Sequence, residues 1–108
     1  MTQPGHVGLA GIVHQVNFRW NPGTTAEQIA ALAEALAGLP GRCAGVLAYG
    51  FGPDLGLRGG NVDYGVMGVF ADLEAYAAYA VLPYHLDLIR DLVLPILAER
   101  SALQYRIG

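Results

Sequence analysis

The chain has 108 residues, 54% hydrophobic and 14% charged, with a formal net charge of −3. That length suits one domain around one core. Its basic residues are all arginines, scattered singly from Arg19 to Arg106, which argues against a nucleic-acid partner.

So little charge in so short a chain leaves more apolar side chain than one small core needs, and some should be buried against another subunit. Cys43 is the single cysteine, so no intrachain disulfide can form. Its apolar neighbours suggest a small buried hydrophobe. No apolar run reaches the roughly 18 residues of a membrane span. The first residues lack the basic and apolar regions of a signal peptide, so a cytoplasmic location is expected.

Residues 1–8, with Pro4 and Gly5, read as an irregular lead-in in which His6 is solvated. A first strand is expected over residues 9–20. The two-residue period puts Ile12, His14, Val16 and Phe18 on one face and Val13, Gln15, Asn17 and Arg19 on the other. His14 is thus either a packed core or interface histidine, the reading that periodicity favours, or a pocket group whose pKa burial tunes.

Asn21-Pro22-Gly23 is a turn. Thr24 with Glu27 fits a capping box for a helix over residues 25–37, whose stripe of Ile29, Leu32, Ala33 and Leu36 reads as scaffold. Gly38 closes it and Leu39-Pro40-Gly41 turns the chain. A second strand over residues 42–51 is rich in small residues, and Gly45 and Ala48 allow close approach of other groups. The loop over residues 52–61 holds Gly52, Gly56, Gly59 and Gly60 without a phosphate-binding pattern. It reads as a flexible connection that could rim a pocket.

The third strand, residues 62–70, is apolar on both faces, so both faces of the sheet should be covered. One helix layer covers one face; a second copy of the sheet is the natural cover for the other. Asp72 caps a helix over residues 73–81 with Leu73, Tyr76, Ala77 and Ala80 inward and Tyr79 to one side. Pro83 divides this helix from another over residues 84–100, which carries His85 in its first turn and is bent at Pro95. Residues 101–107 form a short last strand. The order β-α-β-β-α-(α)-β is the α+β, ferredoxin-like split βαβ arrangement: four antiparallel strands with the helices on one face.

His14-Gln-Val-Asn-Phe18, Leu39-Pro40-Gly41, and the run Val69-Phe70 through Asp72-Leu-Glu-Ala75, Tyr79, Pro83 and His85 resemble the motifs of the stress-responsive α/β-barrel domain (Dabb) family. The resemblance spans nearly the whole chain, as one Dabb domain over residues 1–108. It implies a homodimer, joined through the open sheet face, in which two sheets close into a dimeric α/β barrel. Many members have no known activity, so a small apolar or polyketide-like ligand bound between sheet and helices is one expectation. A polyketide cyclase of the family works without a cofactor through a histidine and a tyrosine, which fall on His85 and Tyr79, with a strand-one histidine at His14. On that pattern His85 is the general base and Tyr79 the oxyanion donor. Cofactor-free oxidation, as in monooxygenase-like relatives, is a further alternative.

Two positions depart from the family. Leu82 stands where a first histidine is usual, and Gln104 where the cyclase has an acid that orients its catalytic histidine. No cofactor is implied, and His14, Asp63 and His85 lack the spacing of metal ligands. A cavity lined by some of Trp20, Tyr49, Phe51, Tyr64 and Met67 would be apolar and aromatic. Neither a nucleic acid nor a membrane is an expected partner.

Overall fold

The computed structural model of the chain describes residues 10–108. The lead-in with His6, and Leu9 at the expected strand start, lie outside the described residues. The elements are β1 (Gly11–Trp20), α1 (Ala26–Ala37), a 3-10 turn (Pro40–Arg42), β2 (Val46–Pro53), β3 (Tyr64–Phe70), α2 (Leu73–Val81), α3 (Pro83–Leu88), a π turn (Ile89–Val93), a second 3-10 turn (Leu94–Ile96) and β4 (Leu97–Ile107).

All strand pairs are antiparallel, in the order β2-β3-β1-β4. This is the ferredoxin-like split βαβ sheet. The expected barrel is corrected: closure requires the first and last strands to pair, and here β2 and β4 lie at opposite edges of an open four-stranded sheet. The helices pack on the face carrying Ile12, Val16, Phe18, Tyr64, Val66 and Phe70, where Leu32, Leu36, Tyr79, Leu88 and Val93 complete the core.

Local chemistry sets the boundaries. α1 starts one residue later than Thr24 and Glu27 suggest. Thr24 Oγ1 donates to Asn21 O at 2.7 Å, which leaves Thr25 to cap. Gln28 N donates to Thr25 Oγ1, and Thr25 N donates to Gln28 Oε1, the reciprocal pair of a capping box. Gly38 ends α1 with φ of −82°, so its glycine serves space and not a left-handed backbone. A Cβ there would lie 2.6 Å from Tyr84 Oη and 2.9 Å from Arg42 Nη1. That crowding is a clamp: Tyr84 Oη donates to Ala35 O at 2.8 Å, Arg42 Nη1 donates to Gly38 O at 2.7 Å, and the Arg42 guanidinium sits 3.9 Å over the Tyr84 ring. The start of α3, and with it His85, is fixed on the end of α1.

The second strand begins at Val46, not at residue 42, because Pro40–Arg42 form the 3-10 turn and Gly45 takes φ +78°. Close approach at Gly45 is present: a Cβ there would come 2.7 Å from Ala75 Cβ. The 54–63 loop is organised by Asp54, which accepts from Gly56 N at 2.9 Å and Asn61 Nδ2 at 3.1 Å. Asp54 N donates to Asp63 O at 2.9 Å, closing the loop.

Asp72 caps α2 as expected, accepting from Ala75 N at 2.8 Å. The inward set differs: Leu73 and Ala77 are exposed, while Ala75, Tyr76, Tyr79 and Ala80 face the sheet, with Tyr79 buried. The long helix expected to residue 100 ends at Ile96, and β4 starts at Leu97, four residues before the expected strand. Pro95 cannot continue an α-helix. Ahead of it the chain loosens into a π turn, in which Leu94 N donates to Ile89 O. The i→i+5 step brings Val93 round under Leu88 and into the core, with Leu92 half-buried against it.

Candidate functional site

A cavity of about 240 Å³ lies between the helix-covered face of the sheet and α1, α2, α3 and the π turn. β1 supplies His14, Val16 and Phe18; the helices supply Tyr76, Tyr79, Ala80, His85 and Leu88; β4 supplies Leu97 and Arg100. Of the apolar and aromatic residues from which its lining is expected (Trp20, Tyr49, Phe51, Tyr64, Met67), none lines it. No residue of the 54–63 loop reaches it either.

The three residues singled out in the sequence, His14, Tyr79 and His85, all lie on this cavity. The Tyr79 ring centroid is 4.4 Å from that of His85 and 5.9 Å from that of His14. His14 is buried, as the second inward residue of a strand flanked on both sides. Burial first, then the charge of Arg100 and the proximity of His85, push its pKa down to about 4. His85 is also shifted down, chiefly by burial; the Ala80 carbonyl opposes the shift and Arg100 adds to it. Both rings are neutral at neutral pH.

Hydrogen bonds assign the tautomers. His85 Nδ1 lies 3.2 Å from Ala80 O; a carbonyl only accepts, so Nδ1 carries the proton and Nε2 presents a lone pair. His14 Nδ1 accepts from Gln104 Nε2 at 2.8 Å, so its proton sits on Nε2. Among the described residues no group bonds Nε2 of either ring, and no fully buried side-chain nitrogen or oxygen lacks a partner. Both Nε2 atoms therefore reach accessible space, one as acceptor and one as donor.

Gln104 thus serves His14 and not His85, a correction to the role carried over from the cyclase. The β1–β4 register sets His14 and Gln104 directly opposite each other. The Tyr79 hydroxyl lies 2.9 Å from that of Tyr49 on β2, and one phenol donates to the other. Burial raises the pKa of both phenols, and Tyr79 also acts on Tyr49 in that direction. Tyr79 therefore offers His85 its ring, while its hydroxyl is engaged with a residue that does not line the cavity.

Sequence reasoning missed Tyr49 as the partner of Tyr79, and Arg100. Arg100 and Leu94 are the exposed members of the lining and mark its opening. The apolar spacing of the sequence implies a helix that ends at Arg100. With β4 starting at Leu97, it falls opposite Phe18 on the helix-covered face. Asp63, the third member of the considered metal trio, accepts from Trp20 N at 2.8 Å and does not line the cavity. Among the described residues no group of three or more His, Cys, Asp or Glu could hold a metal ion, and no helix is long and apolar enough to cross a membrane.

An open antiparallel sheet roofed by helices over such a cavity defines a ferredoxin-like α+β protein. The chain belongs to the stress-responsive A/B barrel domain family, Dabb, whose family model matches residues 12–107. No curated protein sequence matches it. Among solved structures, a dimeric ferredoxin-like protein of unknown function from Thermobifida fusca is 32% identical with a TM-score of 0.84, over 99% of this chain and 100% of that one. A hydroxynitrile lyase from Passiflora edulis is 19% identical with a TM-score of 0.77, over 91% and 94% of the two chains. A Dabb family protein from Mesorhizobium loti is 20% identical with a TM-score of 0.74, over 93% and 100%. The last two show a shared fold.

Proposed function

We propose that the chain is a homodimeric small-molecule binder, acting as a single domain, whose cavity takes a compact, mostly apolar ligand with a carbonyl-type oxygen. One observation carries this reading: His85 and His14 both line an apolar cavity, and their Nδ1 hydrogen bonds leave Nε2 of His85 as an acceptor and Nε2–H of His14 as a donor. A few placed polar groups in an apolar pocket are how small-ligand sites orient their occupants. The volume, about 240 Å³, falls below the usual drug-sized range and favours a small molecule.

The homodimer is supported by the similarity to structures described as dimeric and by Leu103 and Tyr105, both exposed. They are paired with Gln15 and Val13 on the sheet face away from the helices. Burial of these side chains against a second copy would remove an apolar patch from water.

The same donor–acceptor pair favours a second reading, cofactor-free proton transfer of the kind a cyclase or lyase performs. His85 Nε2 would take a proton from a carbon next to a carbonyl, while His14 Nε2–H donates to the oxygen on which enolate charge develops. Tyr79, the oxyanion donor on the family pattern, would instead hold the His85 ring in place.

The test uses benzoylacetone, a small aryl β-diketone. Imidazole resonances of His14 and His85 should shift on titration in the wild type and stay still in Ala80→Phe, which fills the cavity. Absence of binding by the wild type sinks the binding reading. Exchange of the diketone's central hydrogen for deuterium should be faster with wild type than with His85→Ala. Equal rates leave a binder without chemistry.

A further inference from the structure

We infer that Arg100 is an anion anchor at the cavity mouth, and that the ligand is an apolar carboxylic acid bound as its carboxylate, with its body inside. This inference rests on the binding reading above and specifies the ligand class.

The cavity lining contains one formally charged side chain, Arg100, and no Asp or Glu. The ion pairs among the described residues are Arg19 with Glu99, Arg90 with Asp87 and Arg90 with Asp91. Glu99, the acid next to Arg100 in sequence, is drawn to Arg19 at 3.3 Å; adjacent β4 residues point to opposite faces of the sheet. Arg100 therefore brings a cation to the rim of an apolar space, and among the described residues no carboxylate pairs with it. The guanidinium is never deprotonated and presents parallel N–H donors that fit a carboxylate two at a time. Its charge is felt inside the cavity, where it disfavours protonation of both imidazoles. A neutral ligand would leave that field unmatched; a carboxylate at the rim would complement it. Behind the rim, Leu97, Ile89 and Val93 offer the ligand's body apolar walls.

The experiment compares 4-ethylbenzoate with its near-isosteric neutral analogue 4-ethylbenzamide, by calorimetry and imidazole NMR at neutral pH and low salt, on wild type and Arg100→Gln. Wild type should bind the benzoate about 10-fold more tightly than the benzamide, the size of one charge-assisted pair. In Arg100→Gln that preference should vanish, the benzoate losing far more affinity than the benzamide. Added salt should weaken benzoate binding alone. Equal affinity of wild type for both probes, or a preference that survives in Arg100→Gln, overturns the anchor and leaves the binding reading standing. Binding of neither probe to wild type overturns both.

Discussion

Gln104 donates a 2.8 Å hydrogen bond through Nε2 to Nδ1 of His14 across the β1–β4 ladder, and so decides which nitrogen of a buried imidazole keeps its proton. Gln104→Glu reverses that choice. A carboxylate accepts from Nδ1–H and favours the imidazolium, so the His14 pKa should rise from about 4 towards or beyond the ordinary 6.5. In the neutral ring the proton should move from Nε2 to Nδ1. Long-range ¹H–¹⁵N correlation spectra across a pH series read both changes; an unaltered His14 titration would sink the assignment.

The same burial makes stability depend on pH. The folded His14 pKa, about 4, lies below the ordinary 6.5, so between those values the unfolded chain binds more protons. Stability should be full above about pH 6.5, fall as the pH is lowered, and level off below about 4, with His85 contributing in the same direction. The His14 share is at most about 3 kcal/mol. Urea unfolding of wild type and His14→Asn from pH 7 to 4 should show a flatter profile for the variant.

Removing either phenol of the Tyr49–Tyr79 pair leaves the other hydroxyl without its 2.9 Å partner. Tyr49→Phe and Tyr79→Phe should each cost about 1–2 kcal/mol. The double variant should cost less than their sum, by about 1 kcal/mol, in a double-mutant cycle of denaturant unfolding. Strict additivity would mean that the hydroxyls do not interact.

Charge on the open face should block self-association. Leu103→Glu with Tyr105→Glu alters two exposed side chains that make no core contact. Sedimentation should report a dimer for wild type and a folded monomer for the variant. A wild type that sediments as a monomer at tens of micromolar contradicts the homodimer.

Gly45→Ala combines a left-handed backbone at φ +78° with a Cβ only 2.7 Å from that of Ala75. It should destabilise the chain by about 2 kcal/mol or more, measured as a lowered urea midpoint with an unchanged slope. Gly41→Ala, where a Cβ meets nothing within 4 Å, is the control.

The parts of this molecule that were legible in sequence are those governed by local rules. Alternation in β1 put His14 among Ile12, Val16 and Phe18, and there it lies. Asp72 and Pro83 marked helix starts because a carboxylate cap and a missing N–H act within a few residues. What escaped depends on where distant elements meet. The Tyr49–Tyr79 bond spans 30 positions and the Gln104–His14 bond 90. Apolar spacing continues past Pro95 and implies a helix through Arg100, whereas pairing with Phe18 places Arg100 in a strand. The barrel was a property attributed to two copies; within one chain β2 and β4 remain separate edges.

The π turn over Ile89–Val93 bears on how this chain is aligned with its relatives. It holds one residue more than the same length of regular helix, and everything after it stays in phase with the core. Deletion of a single residue there would tighten the turn to α geometry and still direct Val93 inward. Chains that differ by one position in this segment can therefore share a fold without an obvious gap. A role transferred by counting across the turn can land one place out in β4, where neighbours face opposite sides of the sheet. The β1–β4 ladder settles the matter for Gln104: its partner follows from cross-strand register, and no count along the chain can reassign it.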